Sequence, residues 1–238
     1  MIRKASFCHS TIILLYFYIQ CSFVSRVLCQ AKPDTKIKDQ RGGDTGEEIR
    51  YVKTNLPEYG QLQGYRFEGM DFFGNIPYVA PPVGDLRFAP PEPALPWDPV
   101  VRDATSFGHD CWQVRHPVHN NVPNSMSEDC LTLNVFTPAG QSSRKKLLPV
   151  MVFIHGGAFE QGGGNRPEYH GKGLVEGGLL VVTLNYRLGA LGFLVSSSDE
   201  LFGNLGLMDQ RAALYWISSN IRFFGGDPKE VTLVGESA

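Results

Sequence analysis

The chain of 238 residues is 42% hydrophobic and 19% charged, with a formal net charge of −2. That is an ordinary globular balance, with room for one large domain or two small ones. No stripe of Lys and Arg interleaved with aromatics runs through it, so a nucleic-acid partner is excluded on electrostatic grounds; the one dense basic stretch, Arg144-Lys145-Lys146, reads as a solvated turn.

The N-terminus differs in composition from the rest. Arg3 and Lys4 precede an apolar run, TIILLYFYI, at 11–19, followed by small and polar residues up to Cys29. This pattern predicts a secretory signal peptide over residues 1–29, cut somewhere in 22–30. The alternative is an uncleaved anchor, but the apolar run falls short of the roughly 20 residues a spanning helix needs. No second candidate span follows. The 5 cysteines are an odd count, and Cys8, Cys21 and Cys29 fall in or beside the signal. Cys111 and Cys130 remain as a pair that an oxidising compartment permits to bond, against the alternative of two free buried thiols. Cleavage after Cys29 would also remove Arg3, Lys4 and Arg26 and no acid, taking the formal charge from −2 to −5. No Asn-x-Ser/Thr sequon occurs.

Residues 30–51 read as a polar leader, with the folded domain expected over 52–238. From Tyr59 the pattern turns to strands. Residues 60–67, GQLQGYRF, alternate, and 74–79, GNIPYV, follows as a hairpin partner. The proline-spaced stretch 90–99 must be extended loop. Residues 131–136, LTLNVF, alternate again. The runs at 148–154, 179–184 and 231–234 are almost wholly apolar, as suits strands buried on both faces. A helix is predicted over 207–223, with Met208, Ala212, Tyr215, Trp216 and Ile217 near a 3.6-residue period. Gly225-Gly226-Asp227-Pro228 stops it. Strand, helix, strand at this spacing predicts an α/β fold with a mostly parallel central sheet and small N-terminal antiparallel hairpins.

Two stretches carry chemistry. In the first, the run 148–154 ends directly in His155-Gly156-Gly157-Ala158. Small residues after a strand let backbone N–H groups point at one spot and stabilise a developing oxyanion. A plain turn reads equally well from this tripeptide alone. A phosphate cradle reads poorly, since neither GK[ST] nor G-x-G-x-x-G follows. In the second, Gly235-Glu236-Ser237-Ala238 supplies the first four positions of the nucleophile elbow G-x-S-x-G. Alone it is a weak signal. An oxyanion loop followed by a nucleophile, each at a strand end, is the chain order this chemistry uses, with the Ala238 N–H as a third donor.

The motifs together resemble the N-terminal part of a type-B carboxylesterase, the family that includes the cholinesterases, over about residues 52–238. They are Phe73-Gly-Asn-Ile-Pro-Tyr-Val-Ala-Pro-Pro-Val-Gly with Arg87-Phe88, Ser127-Glu-Asp-Cys130-Leu-Thr-Leu-Asn-Val, His155-Gly-Gly-Ala-Phe159, Asn185-Tyr-Arg-Leu-Gly, Gly203-Asn-Leu-Gly-Leu-Met-Asp-Gln210, and Phe224-Gly-Gly-Asp-Pro through Ser237-Ala. The resemblance implies an α/β-hydrolase fold, Ser237 as nucleophile, and Gly157, Ala158 and Ala238 as oxyanion donors. It implies a Cys111–Cys130 disulfide and structural ion pairs Arg87–Glu128 and Arg187–Asp209. Glu236 is expected to tune the field beside the nucleophile. It implies a small-molecule carboxylic ester as substrate, without cofactor or metal. His155 leads the oxyanion loop and is not the base, since the family's base is a much later histidine. The loop between the cysteines has Trp112 beside Cys111 but no tryptophan further on, which points away from choline esters.

In this fold the acid and the histidine follow the serine. Both are therefore expected after Ala238, the 238-residue chain is expected to be a fragment inactive by itself, and its last strand to present an open edge. The alternative is a non-catalytic extracellular adhesion or binding domain, the only reading that calls for a protein partner. An apolar-ligand binder is a weaker third. Either way the expected location is extracellular or the secretory lumen, with no transmembrane span in this part.

Overall fold

Alternating and apolar runs resolve into one mixed sheet. The computed structural model describes residues 50–114, 125–169, 171–196 and 202–238. The signal segment with Cys8, Cys21 and Cys29, and the leader up to residue 49, lie outside the described residues. The strands are β1 (Arg50–Leu56), β2 (Gly60–Phe67), β3 (Met70–Pro77), β4 (Arg102–Asp103), β5 (Asp110–Cys111), β6 (Met126–Ser127), β7 (Thr132–Pro138), β8 (Leu148–Ile154), β9 (Leu180–Leu184) and β10 (Gly226–Gly235). The main sheet runs β1-β2-β3-β7-β9-β8-β10, with β4 beside β2; β5 and β6 pair separately.

The α/β-hydrolase class stands, but the balance of the sheet differs from the expectation of a mostly parallel centre. From β1 through β9 each neighbour is antiparallel, and parallel pairing is confined to β9-β8-β10, the short β4 and the β5-β6 pair. The segment 131–136 reads as alternating, yet β7 is buried on both faces, and its direction is set by neighbours that pattern cannot reveal. β1 is a second correction. It begins at Arg50, inside the stretch read as leader. As an edge strand it buries only one side, through Val52, Thr54 and Leu56, while Tyr51, Lys53 and Asn55 face out and Arg50 is exposed at its start, so its composition reads as polar.

Apolar layers lie on both faces of the sheet. Val150, Val152, Leu180, Val182 and Leu184 project to one side, where Ala213, Trp216 and Ile217 of the helix α3 (Leu205–Asn220) cover them. Met151 and Val181 project to the other, against Val175 of α1 (Lys172–Glu176) and the Phe72–Phe136 pair. A third short helix, α2 (Gly189–Phe193), follows β9. α3 is shorter than the predicted 207–223 and passes into a 3-10 turn, Ile221–Phe224, closed by Gly225 at φ 90°. Gly226, Asp227 and Pro228 already belong to β10. Tyr215, assigned to the helix's core stripe, is instead 68% exposed. The buried stripe runs through Leu205, Asp209, Ala213, Trp216 and Asn220, because the helix seats Asp209 inward.

Candidate active site

Parallel pairing puts the site together. β10 lies beside β8 in the register Val234↔Phe153 and Gly235↔Ile154, so both strands end at the same level. The chain leaves β8 into His155-Gly156-Gly157-Ala158 and leaves β10 into Glu236-Ser237-Ala238. The carboxyl edge of a parallel sheet is the usual place for chemistry in α/β folds.

Ser237 sits at φ 60° and is exposed. A left-handed backbone costs an L-residue about 1–2 kcal/mol, so the turn holds its hydroxyl out under strain. Gly156 makes the close approach possible. A Cβ there would collide with the Glu236 carbonyl and stand 3.0 Å from Ser237 Cβ. Beyond it, Gly157, Ala158 and Phe159 all have positive φ, 128°, 57° and 59°. This curl turns two successive N–H groups toward one point: Gly157 N–H donates to a terminal carboxyl oxygen of Ala238, the last of these 238 residues, at 2.7 Å, and Ala158 N–H donates to the same oxygen. The loop is tied down at its far side, where Gly189 N–H donates to the Phe159 carbonyl at 2.7 Å and Phe159 packs on Phe193 with ring centroids 4.8 Å apart. Glu236 is exposed beside Ser237.

His155 is buried under this loop. Its Nδ1 lies 2.9 Å from the Gly156 carbonyl, so Nδ1 carries the proton, and the ring stacks on Tyr186 at 4.4 Å. Burial pushes its pKa down to about 4. The Tyr186 hydroxyl donates to the His155 carbonyl at 2.8 Å, and burial pushes that phenol up to about 12. The neutral ring, held through Nδ1 to the Gly156 carbonyl and stacked on Tyr186, props the loop.

Cys111 and Cys130, 19 residues apart, form a buried disulfide. Arg87 donates to Glu128 through Nε at 2.6 Å and Nη2 at 2.8 Å, which raises the guanidinium pKa; this pair is partly exposed beside the disulfide. Arg187 and Asp209 are buried. Asp209 Oδ1 accepts from Nη2 at 2.7 Å, and Oδ2 accepts from Nε at 2.8 Å and the Arg187 backbone N–H at 3.1 Å. Burial raises the Asp209 carboxyl pKa, and the guanidinium opposes that rise. Neither ion pair hydrogen-bonds Ser237 among the described residues; the buried one fixes the end of β9 to α3.

An amide network was missed by sequence reasoning. Asn134 Nδ2 donates to Asn165 Oδ1 and Thr183 Oγ1, both at 3.0 Å. Asn165 Nδ2 donates to Asp110 Oδ1 at 2.8 Å, and Asn185 Oδ1 accepts from Gly164 N–H at 2.8 Å. These side chains stitch the glycine-rich segment behind the Gly157–Phe159 turn onto β7 and β9. Asn134 and Asn185 stand in the quoted motifs; nothing local marked Asn165. Among the described residues, no group of three or more His, Cys, Asp and Glu could hold a metal, and no helix is long and apolar enough to cross a membrane.

A serine on a strained strand-end turn, facing paired N–H donors at the neighbouring strand end, defines the α/β-hydrolase class. The model of the carboxylesterase family matches residues 49–238, and the chain belongs to that family. It is 49% identical over 187 residues to a para-nitrobenzyl esterase of Bacillus subtilis (strain 168), covering 76% of this chain and 37% of that protein. It is 44% identical over 200 residues to an acetylcholinesterase of Electrophorus electricus, covering 78% of this chain and 31% of that one. Among solved structures it resembles a PNB esterase at 48% identity with a TM-score of 0.68, covering 78% and 38% of the two chains. It also resembles a juvenile hormone esterase from Manduca sexta with OTFP covalently attached, at 36% identity with a TM-score of 0.73, covering 79% and 36%. The chain thus spans between 31% and 38% of the length of these relatives.

Proposed function

We propose that the chain is the nucleophile-bearing part of a longer secreted serine esterase that hydrolyses small-molecule carboxylic esters. The observation that carries this is the convergence of the Gly157 and Ala158 N–H groups on one oxygen beside a strained, exposed serine. In the reaction, Ser237 Oγ attacks the ester carbonyl carbon as its proton passes to a base. The carbonyl oxygen takes the negative charge at the point where the Gly157 and Ala158 N–H groups meet, the place that the Ala238 oxygen takes in this structure. The C–O bond to the alcohol breaks, the alcohol leaves with a proton, and an acyl-serine remains. Water attacks the acyl carbon, the acid departs and Ser237 regains its proton. Removing one oxyanion donor from such a site typically costs roughly 10²–10³ in rate.

In this proposal His155, buried under the loop with Nδ1 held by the Gly156 carbonyl, is not the base, and the base and its orienting acid are placed in further residues of the longer protein. That reading is supported by the share of the relatives' length left unmatched. The covalently attached ligand of the juvenile hormone esterase supports a covalent mechanism. The N-terminal apolar run and the Cys111–Cys130 bridge support an oxidising, extracellular or lumenal location. The test is labelling of the full-length product with a fluorophosphonate probe. Wild type should label and hydrolyse a p-nitrophenyl ester, and Ser237→Ala should do neither. Equal labelling of the two forms would sink the assignment.

A further inference from the structure

We infer that Gln113 is a positioning residue for the oxyanion turn, clamping Gly162 so that the Gly157 and Ala158 N–H groups keep their aim. The inference rests on the esterase reading and deepens it. One side-chain amide engages both backbone groups of one residue: Gly162 N–H donates to Gln113 Oε1 at 2.8 Å, and Gln113 Nε2 donates to the Gly162 carbonyl at 2.7 Å. Nε2 also donates to the Cys111 carbonyl at 3.1 Å. The amide cannot be turned over, because a backbone N–H needs the oxygen and two carbonyls need the NH2. All three bonds of the clamp are lost together in a side chain without hydrogen-bonding groups.

Gly162 is the right place to hold. It stands at φ 117°, and a Cβ there would collide with the Gly156 carbonyl and with His155 Nδ1. Its backbone therefore rests directly against the peptide that carries the first donor, Gly157 N–H. The turn itself is closed by Glu160 and Gln161, whose N–H groups both donate to the Gly157 carbonyl, at 3.0 and 3.1 Å. On the other flank, Gly164 is held by Asn185. Gln113 lies only two residues from the Cys111–Cys130 bridge, so the clamp ties the oxyanion turn to the covalently closed loop. Without it, three backbone or side-chain groups seek new partners, and the turn can relax by a fraction of an ångström. Donor geometry matters most when the oxygen is charged, so the loss falls on the transition state rather than on substrate binding.

The experiment uses the full-length enzyme with Gln113→Leu, near in size but without hydrogen-bonding groups, and Gln113→Glu, which keeps the acceptor for Gly162 N–H and loses the donor. The readouts are kcat and KM for a p-nitrophenyl ester, the inhibition constant of a trifluoromethyl ketone that adds to the serine, and the unfolding midpoint. Gln113→Leu should lower kcat roughly 10–100-fold with KM within about 2-fold, and weaken the ketone by about the same factor as kcat. Gln113→Glu should show the same pattern and serves as the reading if the leucine variant fails to fold. Wild-type kcat and ketone affinity in a folded variant would overturn the assignment. A lower kcat with unchanged ketone affinity would overturn it too, since the donors would then still be aimed. Turnover that survives Ser237→Ala would overturn the esterase reading itself, and is seen separately in that control.

Discussion

Removing the charge from Asp209 should be among the most damaging polar changes available in this chain. Asp209 is 0% exposed and Arg187 4%, so neither charge can recover water when the other goes. Asp209 supplies all the acceptors for Arg187 Nε, Nη2 and backbone N–H, leaving only Nη1 with the Ala89 carbonyl, at 2.8 Å. Asp209→Asn keeps the shape and leaves a guanidinium buried without a counter-charge. Breaking a buried pair on one side costs about 3–5 kcal/mol, a large share of the roughly 5–15 kcal/mol that holds a domain together. Replacing both partners with apolar residues, Arg187→Met with Asp209→Leu, removes the charges together. It forfeits hydrogen bonds to two backbone groups at about 1–3 kcal/mol for each one left buried and unpaired. Against that stands the relief of desolvating two ions, so the double variant should be more stable than Asp209→Asn. Urea unfolding of the full-length product, wild type against single and double variants, measures both quantities. A cost below about 1 kcal/mol for Asp209→Asn, or a double variant worse than the two singles added, would refute the view that this pair is a buried structural bridge.

Three further outcomes are expected. His155 has a folded pKa of about 4 against an ordinary 6.5, so between those values the unfolded chain binds the proton and the folded one does not. Its contribution is fully present above pH 6.5 and is lost as pH falls toward 4, by about 3 kcal/mol in all; His155→Asn should flatten that part of a stability-versus-pH curve followed by denaturant unfolding. Gly156→Ala should slow fluorophosphonate labelling by roughly 10²-fold or more, because the new methyl displaces the turn that carries Ser237; an unchanged labelling rate would show the turn has room to spare. Cys111→Ser with Cys130→Ser should cost about 3 kcal/mol by loop-closure entropy over the 19-residue separation, read as a lower unfolding midpoint that reducing agent lowers no further.

Local pattern was enough to read much of this protein. The strands at 60–67 and 148–154 have the bounds the alternation and the apolar run predict, since both follow from which residues along the chain must be buried. The family, the fold class and the serine's place at a strand end were legible because motif chemistry is local: a tight turn demands small residues in a fixed order. Tertiary structure alone decided the rest. The leader read at 30–51 runs two residues into β1 because the start of this edge strand is exposed, and β7 runs antiparallel to both neighbours because direction is chosen by partners far away in sequence. Tyr215 left the core because α3 turned Asp209 inward to meet Arg187. The meeting of two N–H groups on one oxygen, and the hold of Gln113 on a glycine 49 residues away, depend on the β8–β10 register and on the disulfide loop's path. Such contacts join residues that no sequence window spans. Hydrophobic periodicity says which side chains leave water, and only the folded chain says which donor meets which acceptor.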